Sequence, residues 1–366
     1  MKRSALNATH RGLGATMMNS AGWDIPGFYT DPVQEHHVVR NQAGLTDFSS
    51  MGEIDIKGPD AARFVDSLVV NHTGTVPIGR VVYTTMLAHD GKVLDDLTVY
   101  RLGEQHFMAV TSTAKHDNSW EWVNAQARGL KIYLTDVSAG TTLLCLQGPA
   151  SRNILSKVAA GVDLAKLDYF WCASGTVAGI PTLVSRTGFT GELGYELYHP
   201  SQWAVRLWDS LLEAGKDDGL SPVGVRPCSA TLRLEKAYMA GGDLEGSTPL
   251  ELPLAWTVRL EKADFIGKAA LVKQKTEGLT RKLVGFEVTG GIPKPGAEIR
   301  KDGQAIGRVT SAGFGPSVKK NIALGFVPVA QARVGLSFEA VSDNAAFPMT
   351  VVPVPFYDPK GERVRS

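Results

Sequence analysis

Beyond Lys282 the helical periodicity of this chain stops, and that change of pattern constrains the fold more than any single motif does. Short β-like runs (Leu283–Val288, Ala305–Ser311, Ile322–Val327 and Met349–Val354) alternate there with Gly/Pro turns. Such a pattern predicts a separate small β domain over residues 282–366, a barrel or jelly roll. Upstream, strand-like and helix-like segments interleave irregularly, so the whole reads as α+β. The 366 residues exceed what one small core accommodates and fit two or three domains. Residues 262–281, charged and helical in pattern, read as the connector.

Composition narrows the class. Hydrophobic residues at 43% and charged residues at 20% are ordinary for a globular protein. A formal net charge of +1 argues against a dedicated nucleic-acid or membrane-surface protein, which would carry a basic excess. No apolar run approaches the roughly 18–20 residues of a spanning helix. The start, Met1-Lys2-Arg3-Ser4-Ala5, has charge but no apolar stretch behind it, so no secretory signal is expected. Cys145, Cys172 and Cys228 are far apart, odd in number and form no CxxC pair. Neither a disulfide framework nor a zinc or iron–sulfur site is expected, and a reducing, cytoplasmic setting follows. Glu35-His36-His37 lacks a second ligand cluster at useful spacing, so no metal is expected. There is no GxGxxG, P-loop or GxSxG signature.

The local patterns place the candidate residues. Gly52–Lys57 alternates like a strand and runs into a helix carrying Ala61, Phe64, Val65, Leu68 and Val69 at helical spacing. Val81–Met86 and Leu97–Tyr100 form a hairpin across His89-Asp90-Gly91-Lys92, with Tyr83 on one arm and Asp95-Asp96 entering the other. Phe107–Thr111 makes a further strand and Trp120–Ala127 a helix. Ser201 reads as the N-cap of a helix whose stripe is Trp203, Leu207, Trp208, Leu211 and Leu212, closed by Gly215.

Two acidic features stand out. Neighbouring residues on a strand point to opposite faces, so of Asp95 and Asp96 one faces a cavity while the other faces elsewhere. The alternative is a solvated pair beside a turn. The strands Pro181–Arg186 and Tyr195–Tyr198 flank a glycine-rich connection, Thr187-Gly188-Phe189-Thr190-Gly191-Glu192-Leu193-Gly194. Its glycines let the backbone approach a flat ligand or adopt positive φ. Glu196, inside the return strand, is costly to bury unpaired. Either the N–H and NH₂ edge of a heterocycle or an arginine would satisfy it.

Taken in order, these segments resemble the aminomethyltransferase family, whose type member is the glycine-cleavage T-protein. The likeness runs from Ala21-Gly22-Trp23-Asp24-Ile25-Pro26 through Glu35-His36-His37-Val38-Val39-Arg40, Gly91-Lys92-Val93-Leu94-Asp95-Asp96-Leu97 and Leu146-Gln147-Gly148-Pro149. It continues through Thr187 to Glu196 and Leu232-Arg233-Leu234-Glu235 to Asp264-Phe265-Ile266-Gly267-Lys268 and Lys320-Asn321-Ile322-Ala323-Leu324-Gly325. The resemblance implies a three-domain cloverleaf around a central channel for tetrahydrofolate. It divides the chain into a discontinuous folate-binding part (1–50 plus 140–261), an α+β ferredoxin-like domain (51–139), the connector (262–281) and the C-terminal β domain. It places Asp96 beside the reactive folate nitrogens, Tyr83 in the same site and Glu196 on the pterin edge, with Val110, Phe189 and Arg226 among the cofactor contacts.

Departures from the family pattern bear on the donor of the one-carbon unit. Ser49-Ser50-Met51-Gly52 stands where the T-protein has Ser-His-Met-Gly, Thr111 replaces an asparagine, and Ser229 falls where the family has a pterin-region arginine. Arg226 lies nearby. Leu234-Glu235-Lys236-Ala237-Tyr238 looks more like relatives that demethylate small compounds, and the segment from Lys236 to Gly242 lacks the cysteine of the iron–sulfur maintenance branch. The expectation is therefore a tetrahydrofolate-dependent demethylase, moving a methyl group from a small N-, O- or S-methyl donor. Trp23, Phe28 and Tyr29 are candidate walls for a charged donor. The rival is a true aminomethyltransferase acting on a lipoyl carrier protein. A non-catalytic folate-binding scaffold is the alternative from another class, favoured if Asp96 and Glu196 lie open to solvent.

Overall fold

The computed structural model describes residues 1–366. Its centre is a pair of sheets packed face to face. One has five strands, ordered Val81–Leu87, Val93–Gly103, His106–Thr111, Gly52–Lys57 and Tyr133–Asp136. The other has seven and includes Ala43–Asp47, Thr141–Gln147, Ile180–Ser185 and Gly194–Pro200.

Strand alternation sorts the side chains of both sheets. Ile54, Ile56, Leu97, Val99 and Ala109 of the five-stranded sheet pack under Phe64, Val65 and Leu68 of the helix Ala61–Leu68 and Val123 of the helix His116–Gln126. The opposite face presents Val81, Tyr100, Met108 and Val110 to Leu143, Cys145 and Tyr198 of the seven-stranded sheet. The far face of that second sheet buries Leu144, Leu146, Tyr195 and Leu197 against Leu207, Trp208 and Leu211 of the helix Ala204–Gly215. At about 1.5–3 kcal/mol for each large apolar side chain removed from water, these three layers fix which face of each strand can carry a site.

The C-terminal part is a closed six-stranded barrel, ordered Arg281–Val288, Lys320–Pro328, Gln304–Gly315, Glu298–Lys301, Ser337–Ser342 and Ala345–Val352. Phe286, Ile299, Val309, Phe338 and Val351 fill it. Leu283, Ile322, Leu324 and Phe326 pack outward on Leu234, Met239, Leu252 and Leu254. The barrel thereby braces the segment that follows the Leu-Arg-Leu-Glu run. The strands Glu298–Lys301 and Ser337–Ser342 are not among the runs the sequence pattern picks out. A small sheet of Lys2–Arg3, Thr16–Ser20 and Trp23–Phe28 was equally silent.

Two expectations shift. Ser201 opens a 3₁₀ turn, Ser201–Trp203, and the α-helix begins at Ala204. The Ser201 hydroxyl donates to the Ala139 carbonyl at 3.2 Å rather than capping the helix. The helix expected from Trp120 begins at His116. The hairpin turn forms as its residues require: Gly91 adopts φ +82° and the Lys92 amide donates to the Asp90 carboxylate at 3.1 Å.

Candidate functional site

Asp95 and Asp96 point to opposite faces of their strand. Asp95 turns to the helical side and is 1% exposed. Its carboxylate accepts from the Ser112 amide (3.2 Å), the Ser112 hydroxyl (2.5 Å) and the Ser119 hydroxyl (3.0 Å). Asp96 faces the gap between the sheets, half-buried. The register pairs Thr85 with Asp96 and Tyr83 with Thr98, so Tyr83 is the diagonal neighbour of Asp96 on one face. The Tyr83 hydroxyl donates to Asp96 Oδ2 at 2.8 Å. Burial, reinforced by Asp243, pushes the Asp96 carboxyl up to about 6 against the Tyr83 bond. Burial and the neighbouring Asp96 charge bring Asp95 to about 7.

Glu196 enters the same gap from the seven-stranded sheet. Ser185 and Cys145 flank it in register, and Thr46 lies next to Cys145. Its Oε2 accepts three hydrogen bonds: Thr187 at 2.6 Å, Tyr100 at 3.0 Å and Tyr198 at 3.0 Å. Oε1 has no partner within the protein. Burial raises the Glu196 pKa while the three hydroxyls oppose the shift. Tyr100 ties the two acids together geometrically. It lies four residues beyond Asp96 on one strand face, about 13 Å along the strand, and touches Glu196. That separation leaves room for a fused bicyclic ring with a hydrogen-bonding group at each end.

Aromatic rings wall the gap. Tyr83 stacks on Trp256 with centroids 6.5 Å apart, and Phe189 stacks on Tyr238 at 6.1 Å. Val110, buried, pairs with Thr98 on the Asp96 face and contributes apolar floor. Behind it Arg233 bonds Asp243 (2.7 Å) and Ser311 (2.9 Å), joining the barrel to the wall. Arg233 is thus occupied. Arg226 is exposed, makes no ion pair and lies one helical turn before the exposed Ser229. Neighbouring Cys228 covers Thr46, with sulfur and hydroxyl 3.8 Å apart, at the end of the Glu196 row.

The arginine considered as a partner for Glu196 goes to its neighbour Glu192 instead. Glu192 is the internal Glu–Arg pair, 3.1 Å from Arg40 Nη1. Glu196 has no arginine. The glycines at 188 and 194 serve a different neighbour from the flat ligand expected: a Cβ at either would lie within 2.4 Å of the Gln147 side chain. Gln147 cinches the segment by donating to the Thr187 and Tyr195 carbonyls.

Two candidate donor walls, Tyr29 and Trp23, lie elsewhere, and Phe28 lies beside the segment that leads to Arg226. Tyr29 packs on the core at the far face of the seven-stranded sheet, its hydroxyl 2.8 Å from His10 Nδ1. Phe28 follows Gly27 against Gly224. Trp23 lines a separate cavity of about 620 Å³ with Ser49, Ser50 and Met51. All three belong to or adjoin the small N-terminal sheet, which the sequence did not reveal. Thr111 likewise turns to the helical side, bonding His116 at 2.9 Å. Strand alternation from Asp96 and Glu196 would have found Tyr100 and Tyr198. Nothing local signals Trp256, Tyr238, Arg233 or Asp243.

The fold is that of a glycine cleavage T-protein. The GCVT N-terminal domain matches residues 6–262, and the glycine cleavage T-protein C-terminal barrel domain matches residues 281–358. An aminomethyltransferase of Halothermothrix orenii is 43% identical over 359 residues, covering 97% of this chain and 100% of the relative. One from Desulfitobacterium hafniense is 39% identical over 364 residues, 99% of each chain. The crystal structure of glycine cleavage system aminomethyltransferase T from Bartonella henselae superposes with a TM-score of 0.91 at 30% identity, covering 98% of both chains. The chain belongs to the aminomethyltransferase (glycine-cleavage T-protein) family, whose members are tetrahydrofolate-dependent one-carbon transferases. The relatives' names side with the aminomethyltransferase alternative; nothing in them specifically supports the small-molecule demethylase.

Proposed function

We propose that this chain is an aminomethyltransferase that passes a one-carbon unit from an aminomethyl group on a lipoyl carrier protein to tetrahydrofolate, releasing ammonia. The observation that carries the reading is the pair of half-buried carboxylates, Asp96 and Glu196, facing one aromatic-walled gap from two sheets. A group with its own polar edge fits there, because Glu196 Oε1 is left free while Oε2 is fully engaged. When bound, tetrahydrofolate supplies the nucleophilic nitrogen that accepts the carbon.

The residues of the chain do the rest. Glu196, held by Tyr100, Tyr198 and Thr187, accepts from the N–H and amino edge of the pterin and sets its orientation. Asp96, steadied by Tyr83, orients the folate amine and takes its proton, with a proton affinity near neutral as general-base work requires. Phe189 and Tyr238 cover the ring and Val110 underlies it. Arg226, free of ion pairs, meets the carboxylate end of the substrate. Both acids lie half-buried in the gap and are not open to solvent, which disfavours a passive scaffold.

Glu196→Gln removes the charge from those ring contacts and should weaken tetrahydrofolate binding about 10- to 100-fold, since hydrogen bonds to charged groups contribute about 1.5–3 kcal/mol. Calorimetric titration checks it, and an unchanged Kd would dismiss Glu196 as a ring contact. Trp256 is 59% exposed and leans on Tyr83, a platform for the aromatic ring attached to the pterin. Trp256→Ala should raise the tetrahydrofolate KM about 2- to 10-fold with kcat nearly unchanged, the range set by about 0.5–1.5 kcal/mol per aromatic pair. Tryptophan fluorescence quenching by the ligand should shrink in parallel.

A demethylase remains the second reading, because Tyr238 and Lys236 depart from the T-protein pattern and the acid-and-aromatic walls suit a small cationic methyl donor. Incubation with tetrahydrofolate separates the two. Methylene-folate and ammonia from the aminomethyl-lipoyl carrier support the first, whereas methyl-folate formed only from a small methylated donor replaces it with the second.

A further inference from the structure

Lys236 has no place in the chemistry described so far, although its side chain is only 3% exposed. Its aliphatic stem fills a notch at Gly191, where a Cβ would lie 2.2 Å from Lys236 Cγ. Gly191, at φ +78°, comes two residues after Phe189. Lys236 itself comes two residues before Tyr238, so one residue stands at the foot of both stacked rings. Between Lys236 and Tyr238, Ala237 takes φ +51°, a conformation unfavourable for a residue with a Cβ. Its neighbours hold it there. The Ala237 amide donates to the Leu234 carbonyl (2.9 Å) and the Tyr238 amide to the Arg233 carbonyl (2.9 Å), while Arg233 Nη1 donates to the Tyr238 carbonyl (3.2 Å). The Lys236 ammonium donates to the carbonyl (2.9 Å) and the carboxylate (3.0 Å) of Asp358. The residue before Asp358 reaches the Phe189 loop as well, because the Tyr357 hydroxyl donates to Glu192 at 2.8 Å.

We propose that Lys236 is a positioning residue for the folate ring: its stem in the Gly191 notch and its ammonium on Asp358 lock Phe189 and Tyr238 into one wall of the gap. A left-handed alanine persists only where its surroundings over-determine it. Arg233 fastens the turn on the Tyr238 side, and the Lys236–Asp358 clasp fastens it on the other. With the clasp open, Ala237 is free to relax and Tyr238 to leave the face of Phe189. A wall fixed before the ligand arrives loses little side-chain freedom on binding, so the clasp acts on affinity without touching the ligand. The inference rests on Phe189 and Tyr238 meeting the folate ring, but not on the identity of the donor.

Lys236→Met keeps the stem in the notch and removes the ammonium. The calorimetric Kd for tetrahydrofolate should rise about 3- to 10-fold, the order of one aromatic contact. KM should rise with it while kcat stays within about twofold. A double-mutant cycle separates positioning from general stability. Tyr238→Leu alone should weaken binding about 3- to 10-fold. Adding Lys236→Met to it should change Kd by less than about twofold, because the ring that the clasp positions is gone and methionine still fills the notch. A merely structural lysine would lower the urea midpoint and weaken binding by the same factor in both backgrounds. Additive losses in the cycle, or an unchanged Kd in either folded single variant, overturn the proposal. Should Lys236→Met not fold, Asp358→Asn keeps the test open. Asparagine suits the φ of +47° at that position and still accepts from Lys236, without the charge. Its Kd should rise about 2- to 5-fold, and no change there overturns the proposal equally. Weakened, non-additive folate binding in a protein inactive with the lipoyl carrier supports the positioning and removes only the donor assignment.

Discussion

Asp96→Asn should fold normally, bind tetrahydrofolate within about threefold of the parent chain, and turn over about 10²- to 10⁴-fold more slowly. The asparagine keeps the shape of the side chain and can still accept from the Tyr83 hydroxyl, which lies 2.8 Å from Oδ2 in the parent. What it loses is the capacity to take a proton, and general-base groups contribute about 10²–10⁴ to rate. Binding is spared because the ring is oriented chiefly from the opposite sheet, where Glu196 and its three hydroxyl partners are untouched. Single-turnover measurements with saturating folate, beside calorimetric Kd values, check both halves. If turnover survives intact, Asp96 is not the base. If binding collapses with turnover, Asp96 holds the ligand rather than acting on it. The acid limb of the parent's profile should fall near pH 6, the position to which burial moves this carboxyl.

How much of this was legible in the sequence depends on the range of the interaction involved. Period-two alternation separates Asp95 from Asp96 because adjacent strand residues must face opposite ways, and the structure seats them so. The loss of helical pattern after Lys282 announces the barrel, since closed antiparallel strands need turns at short spacing. The same rule applied two residues beyond Glu196 and four beyond Asp96 reaches Tyr198 and Tyr100. It could not say that their hydroxyls converge on one oxygen, because that depends on how two sheets from distant parts of the chain stack. Trp23, Phe28 and Tyr29 looked like donor walls for their chemistry alone. A hydrogen bond from Tyr29 to His10 and a separate cavity lined by Trp23 carry those two elsewhere, on or beside an unforeseen three-stranded sheet. The glycines of the Thr187–Glu196 segment do allow close approach, but at 188 and 194 the neighbour is Gln147 of the chain itself, and Gly191 takes positive φ against the Lys236 side chain.

Arg40→Met should cost the fold about 3–5 kcal/mol at neutral pH, the usual consequence of removing one partner from a buried ionic cluster. Arg40 is 3% exposed and leaves the helix Pro32–Asn41 to meet four separate segments. Nη1 donates to the Thr190 carbonyl (2.7 Å) and Glu192 (3.1 Å), and Nη2 to Glu235 (2.9 Å) and the Leu232 carbonyl (3.2 Å). Nε reaches Ser317, which extends the cluster to the barrel, and the guanidinium lies 4.0 Å from the Tyr357 ring centroid. Methionine fills most of the volume but leaves Glu235, fully buried, without its cation. Burial works against the charge of Glu235, yet the bond from His36 and the charge of Arg40 hold its pKa down at about 2. A carboxyl depressed in the folded state contributes stability that is present above its ordinary value near 4.5 and is lost as pH falls through about 2. In the variant that contribution disappears, and an uncompensated buried carboxylate instead destabilises the fold until it is protonated. The difference in stability between parent and variant should therefore be largest above about pH 5 and shrink steadily toward pH 2–3. Urea midpoints measured across that range test it, and a difference that is small at pH 7, or that does not narrow on acidification, would reduce the cluster to a packing contact. Because Glu192 in the same cluster anchors the segment that ends in Glu196, the variant should also bind tetrahydrofolate more weakly although Arg40 does not line the gap.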